Sequence, residues 1–191
     1  TAGAGLRLRD LEALLATHNQ CLPCDPPHFG PDATIGGAVA AALSGPARAS
    51  VGAMKDFVLG INMLNAAGEL LTFGGQVMKN VAGYDITRLN VGARGSLGLM
   101  LEVALKVLPI PEVVQVYGLA CDPSLAQQHM LAQRRLAGLS ASAYCDGALL
   151  VRYQGSEQAK STFEQALGQE FQPVPNTGLV AVRDLSFAHT G

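Results

Sequence analysis

Three glycine clusters fall inside one stretch, Pro23 to Pro111, of a chain with no tryptophan and only 5% aromatic residues. They are Ala33-Thr-Ile-Gly-Gly-Ala38, Phe73-Gly-Gly75 and Val91-Gly-Ala-Arg-Gly-Ser-Leu-Gly98. Glycine tolerates left-handed backbone and lets another surface reach the main chain. A fold that concentrates glycines this way brings its backbone close to something: a phosphate, a flat ring, or a neighbouring element of its own. Thr34-Ile35-Gly36-Gly37 reads as the opening of a helix, where free amides and the dipole favour phosphate. Neither the dinucleotide pattern G-x-G-x-x-G nor the P-loop G-x-x-x-x-G-K-[ST] occurs. The residues alone leave cofactor contact and tight packing both open.

Composition narrows the class. The 191 residues are 49% hydrophobic, ample material for a core and too much for a disordered chain. Net charge is -2, only 15% of residues are charged and the pI is about 6.0, which lacks the basic surface of a nucleic-acid binder. The longest apolar run, Ala33 to Leu43, contains two glycines and falls far short of the roughly 20 residues of a membrane span. No basic region followed by an apolar one opens the chain. It starts at Thr1 in Thr-Ala-Gly-Ala-Gly and stops at Ala-His-Thr-Gly, without clear terminal elements; the expectation is a fragment of a longer protein. Cys21-Leu-Pro-Cys24 is a C-x-x-C. A zinc site needs two more ligands at short spacing, and no second such motif is present. Asp25-Pro26-Pro27 cannot open the helix that a thioredoxin-like site requires. Two thiols in a reducing compartment is the favoured reading.

Spacing predicts a helix over Leu8–His18, an irregular loop over Cys21–Asp32, and a second helix from Gly36 to Leu43 capped by Thr34. Val58–Asn65 and Glu69–Phe73 read as a hairpin, and Asp85 as the cap of a short helix ending at Val91. Leu97–Leu108 reads as one long buried strand. After Pro111 the texture changes. Strands are expected at Val113–Ala120, Ala141–Cys145, Ala148–Gln154 and Leu179–Arg183, with helices over Pro123–Gly138 and Ser156–Gly168. That order, β-α-β-β-α-β, is the ferredoxin-like pattern. The fold class is α+β, with a boundary near Pro109 to Pro111.

Five stretches together resemble a known family: Leu22-Pro-Cys-Asp-Pro-Pro-His28, Ala33 to Ala38, Lys55-Asp-Phe-Val-Leu-Gly60, Met78-Lys-Asn-Val-Ala-Gly-Tyr-Asp85 running on to Leu108, and Val91 to Gly98. They are similar to the FAD-binding domain of the vanillyl-alcohol oxidase / p-cresol methylhydroxylase (PCMH) family. Within it they look closest to the FAD-binding subunits of bacterial glycolate oxidase. The likeness is strong from about Gly5 to Pro111 and thins from Glu112 on. It implies that residues 1–111 are the second subdomain of a PCMH-type FAD-binding domain, without the first subdomain that carries the pyrophosphate loop. Residues 112–191 are then a partial ferredoxin-like cap or substrate domain. The implied cofactor is FAD, lost or weakly held by this piece alone.

Carried over by position, Thr34, Ile35, Gly36 and Gly37 lie along the flavin and its pyrophosphate. Asp56 and Val58, and Gly95, Ser96, Gly98 and Leu99, lie toward the adenine. The stretch Ala82-Gly83-Tyr84-Asp85 lies toward the isoalloxazine. Where the family has Gly-Ser-Glu-Gly-Thr-Leu-Gly, this chain has Arg94 in place of the acid. The His-rich metal motif of related 2-hydroxy-acid dehydrogenases is absent, so no metal ligand is assigned.

His28, Lys79, Tyr84 and Arg94 are the candidate substrate contacts. For His28 the alternative is a loop-fixing hydrogen bond, for Lys79 a solvated lysine, and for Tyr84 a half-buried ring. Arg94 can pair bidentately with phosphate or carboxylate. No catalytic residue is assigned. The implied function is the FAD-binding subunit of a glycolate oxidase or dehydrogenase complex. Glycolate goes to glyoxylate, and electrons pass to a second flavoprotein subunit and an iron–sulfur subunit. The alternatives are a non-catalytic interaction or relay subunit, and another FAD-dependent alcohol or hydroxy-acid oxidoreductase on the same scaffold. The implied location is cytoplasmic, with membrane association through partners.

Overall fold

A computed structural model describes residues 1–75 and 84–175. In chain order the elements are β1 (Ala2–Gly3), α1 (Leu8–Thr17), β2 (Gln20–Cys21), α2 (Ile35–Ala40), α3 (Arg48–Val51), a 3-10 turn (Met54–Asp56), β3 (Val58–Leu64), β4 (Leu70–Gly74), α4 (Ile86–Asn90), β5 (Leu99–Leu105), β6 (Leu108–Pro109), β7 (Val113–Ala120), α5 (Pro123–Gln133), β8 (Leu139–Cys145), β9 (Ala148–Gly155), α6 (Glu157–Leu167) and β10 (Gln172–Val174). The chain forms two compact units. The first takes Thr1–Gly45 and Gly52–Ile110; the second takes Pro46–Val51 and the described residues from Pro111 on.

The first unit is built on an antiparallel sheet in the order β1-β5-β3-β4, with a separate β2-β6 ribbon. Its β3-β4 hairpin closes because Asn65 Oδ1 accepts from the amides of Ala67 and Glu69, each at 2.9 Å, a turn that Asn side chains make locally. Leu8, Ile35, Val39, Met54, Ile61, Met63 and Val103 are among its most buried apolar side chains. Each such aliphatic burial is worth roughly 1.5–3 kcal/mol. Helix α1 has no side-chain cap and buries only Leu8 and Leu11, so burial rather than capping holds it.

Two expectations are corrected here. Helix α2 stops at Ala40, short of Leu43, because Ala42 turns left-handed (φ 56°). The amides of Gly92 and Arg94 also take up the carbonyls of Val39 and Ala40. The strand expected over Leu97–Leu108 is two strands, β5 and β6. Between them Lys106 N donates to Phe57 O at 2.8 Å.

The second unit runs β7-α5-β8-β9-α6-β10 on an antiparallel sheet ordered β10-β7-β9-β8, the ferredoxin-like order of elements. Its last described strand is β10. The strand expected at Leu179–Arg183 lies outside the described residues. Asp122 and Ser156 cap the two long helices, and Asp146-Gly147 turns the β8-β9 hairpin with both residues left-handed (φ 51° and 77°). Tyr117, Leu149, Val151 and Tyr153 pack with Ala126, Phe163 and Leu167. The tyrosine hydroxyls are satisfied within the unit. Tyr117 donates to Glu164 Oε1 at 2.6 Å and Tyr153 to Ser156 O at 2.7 Å. Among the described residues no helix is long and apolar enough to cross a membrane.

Candidate functional site

The Thr34–Gly37 segment is laced to the N-terminal strand. Leu8 N donates to Ala33 O at 2.8 Å, Ile35 N to Leu6 O at 3.0 Å and Gly36 N to Ala4 O at 2.8 Å. Thr34 caps α2 by accepting from Gly37 N at 3.1 Å. This corrects the expected chemistry of the helix start. The first three amides of α2 are already engaged, so a phosphate finds no free amide cradle there. The first residues, read as lacking a clear element, do form one. Ala2–Gly3 pair with β5, and Ala4 and Leu6 position α2.

The third glycine cluster, Val91–Gly98, docks on the far end of the same helix. Gly92 N donates to Val39 O at 3.1 Å and Arg94 N to Ala40 O at 2.9 Å, which satisfies carbonyls a helix end leaves open. Arg94 and Gly95 are left-handed, at φ 52° and 79°. Ser96 Oγ donates to Ala93 O at 2.7 Å and fixes the turn. The result is a cleft of about 350 Å³ with Thr34, Gly36 and Gly37 on one side. Arg94, Gly95, Gly98 and Leu99 stand on the other. A second cleft, about 540 Å³ and mainly apolar, is lined by Pro27, Phe29, Ala38 and Leu43; it shares Thr34 and Gly37 with the first.

The glycines of this region do two different things. A Cβ on Gly36 would sit 2.6 Å from Ala4 Cβ and 2.7 Å from Ala4 O, and one on Gly98 would strike Met63 and, at 2.5 Å, Leu64 O. Those two are demanded by packing. Gly5 and Gly95 face open space, and a Cβ on Gly37 meets only Thr34 Oγ1 at 3.2 Å.

The other candidates do not join these clefts. Ile35 is fully buried in the core and Val58 is 5% exposed at the start of β3. Asp56 Oδ2 accepts from Ala53 N at 2.9 Å, closing the 3-10 turn. His28 Nε2 lies 3.0 Å from Glu12 Oε1, a contact that ties its loop to α1. Tyr84 is 95% exposed, not half-buried as expected. Lys79 lies outside the described residues. Sequence reading missed Ala4, Gly5 and Asn90, which also line the smaller cleft. The Ala-Gly-Ala-Gly opening was the signal for Ala4 and Gly5, and Asn90 had none. Among the described residues no group of three or more His, Cys, Asp or Glu side chains could hold a metal ion.

The C-x-x-C forms no disulfide. Cys21 Sγ donates to Pro109 O at 3.7 Å, and the buried Cys24 thiol lies 3.9 Å from Met54 Sδ. Burial pushes the Cys24 thiol up from 9.0 to about 12. The folded chain therefore keeps the proton where the unfolded chain loses it, and this contribution to stability falls as pH rises from 9 to about 12. Iodoacetamide at pH 8 is expected to leave Cys24 unlabelled in the folded protein and to label it in denaturant. Mass spectrometry reads the difference, and rapid labelling of the folded protein would contradict the burial.

Residues 1–74 match the FAD binding domain family. The chain is 44% identical over 173 residues to glycolate oxidase subunit GlcE of Escherichia coli, an alignment covering 89% of this chain and 49% of that protein. It is 40% identical over 79 residues to glycolate oxidase subunit GlcD of Bacillus subtilis, covering 41% of this chain and 17% of that one. It is 33% identical over 108 residues to the mitochondrial D-lactate dehydrogenase [cytochrome] of Arabidopsis thaliana, covering 56% and 18%. The chain thus spans about half the length of GlcE and less of the other two. Among solved structures it superposes on an alkyldihydroxyacetonephosphate synthase with a TM-score of 0.72 at 15% identity, covering 97% of this chain and 42% of that one. The solved structure, at 15% identity, shows the shared fold, and the family match is confined to residues 1–74.

Proposed function

We propose that this chain is the FAD-binding part of an oxidoreductase acting on small 2-hydroxy acids, with glycolate oxidised to glyoxylate. It works as a subunit that passes electrons to a second flavoprotein subunit and an iron–sulfur subunit. The observation that carries the reading is the convergence of the Thr34–Gly37 and Arg94–Leu99 segments on one cleft. The open faces of Gly5, Gly37 and Gly95 are a cradle that side chains would fill. The 44% identity to GlcE supports the substrate and the subunit role. When bound, FAD supplies the two-electron acceptor for oxidation at the substrate carbon. The residues here hold and orient it: Thr34 fixes the rim by capping α2, Gly37 and Gly95 present backbone, and Leu99 offers apolar surface. A cytoplasmic location, with membrane docking through the partner subunits, belongs to the same proposal.

A second reading is an FAD-holding relay subunit whose substrate is oxidised elsewhere. It is favoured by the charges of the two clefts. Among the described residues Arg94 and Asp32 are the charged groups lining them, and Asp32 is paired with Arg7 at 3.1 Å. Neither is placed as a free base. The native full-length polypeptide, purified and scanned in the visible range, separates these readings. Flavin bands that glycolate bleaches without air support the first. Bands that bleach only when the partner subunits are added support the relay. A colourless protein that takes up no added FAD overturns both.

A further inference from the structure

We infer that Arg94 is the residue that neutralises the FAD diphosphate in the cleft between Thr34–Gly37 and Gly95–Leu99, an assignment that rests on the FAD reading above. Among the described residues Arg94 is the charged one lining that cleft. The helix beside it offers no amide substitute, because the amides of Ile35, Gly36 and Gly37 are engaged by Leu6 O, Ala4 O and Thr34 Oγ1. Among the described residues of that cleft, the Arg94 guanidinium is the charge that meets an entering dianionic group.

The loop fixes the Arg94 backbone beside the cleft. Arg94 is left-handed at φ 52°, a conformation glycine adopts without strain and other residues keep where the surrounding structure holds them in it. Its backbone is pinned through Ala40 O at 2.9 Å, and Ser96 Oγ to Ala93 O closes the turn around it. Arg7, Arg9 and Arg88 each have a carboxylate, from Asp32, Asp10 and Asp85 at 3.1, 3.5 and 3.5 Å. Among the described residues Arg94 has none. A planar guanidinium with two parallel donors suits phosphate oxygens. The apolar cleft beyond the Thr34–Gly37 rim leaves room for a ring on the other side of the contact.

The shared chemistry is an oxyanion, and a substrate carboxylate is its other source. Both are tested on the native full-length polypeptide stripped of flavin. FAD is titrated by fluorescence quenching into wild type, Arg94→Gly and Arg94→Lys, and oxalate is then titrated into the FAD-loaded forms by difference spectrum. Arg94→Gly removes the charge and relieves the backbone, so its melting temperature should equal or exceed that of wild type. The expected result is at least a tenfold weaker FAD Kd for Arg94→Gly and an intermediate value for Arg94→Lys. The gap should narrow as salt rises, and oxalate affinity should stay unchanged. Equal FAD affinity in all three overturns the assignment, and a loss confined to oxalate overturns it in favour of the carboxylate. A wild-type protein that binds no FAD overturns the FAD reading itself, and this one with it.

Discussion

Gly36→Val is expected to give a chain that does not hold its fold, whether or not FAD is supplied. A Cβ at this position falls 2.6 Å from Ala4 Cβ, 2.7 Å from Ala4 O and 3.1 Å from Ala4 C. Two of those three atoms are backbone and cannot rotate away. Relief requires the Ala4–Leu6 segment to leave α2, which breaks the bonds from Gly36 N to Ala4 O and from Ile35 N to Leu6 O. It also loosens Ile35 and Val39, both fully buried. Valine adds two methyl groups and a branched Cβ that helices tolerate poorly. Overpacking of this kind costs about 1–3 kcal/mol and each stranded buried polar group about 1–3 more. The sum, on the order of 4 kcal/mol or above, rivals the ~5–15 kcal/mol that stabilises a domain. Soluble yield and a urea melt followed by circular dichroism read the effect. A variant that melts like wild type yet carries no flavin would show instead that Gly36 is there for the cofactor.

Gly36 also marks how far the sequence could be read. The glycine clusters, the hairpin dipeptide Asp146-Gly147 and the caps at Thr34, Asp85 and Asp122 are local signals, and local hydrogen bonds confirm the caps. From β7 to α6 the order was legible in the alternating strands and the capped helices, whereas β10 at Gln172–Val174 was not among the expected strands. What could not be read is which way a glycine faces. Gly36 and Gly37 are chemically identical in sequence, and only the docking of Ala4 on one of them assigns it to packing. The same holds for α2, whose amides look free until residues about thirty positions earlier occupy them. Tyr84 failed for a related reason: aromatic character suggests burial, but among the described residues none covers it and it stands 95% exposed. Long-range partners decide these points, and a local pattern does not contain them.

Gly37→Leu, one residue further on, is expected to have the opposite outcome: a folded protein that no longer retains FAD. Successive helical residues turn by about 100°, so the face that meets Ala4 at Gly36 has rotated away at Gly37, which is exposed. Its added Cβ meets only Thr34 Oγ1, at 3.2 Å. Leucine in place of glycine gains roughly 0.5–1 kcal/mol of helix propensity. Disturbing the Thr34 cap returns about the same amount, so the melting temperature should barely move. The leucine side chain, however, stands on the rim that both clefts share. FAD affinity should fall at least a hundredfold, about 2.7 kcal/mol, when FAD is titrated into the flavin-free native polypeptide. Unchanged FAD affinity at an unchanged melting temperature would mean that the cofactor does not cross the Thr34–Gly37 rim. The two adjacent substitutions together assign each glycine by what is lost: the fold when the inward one is filled, and the flavin when the outward one is.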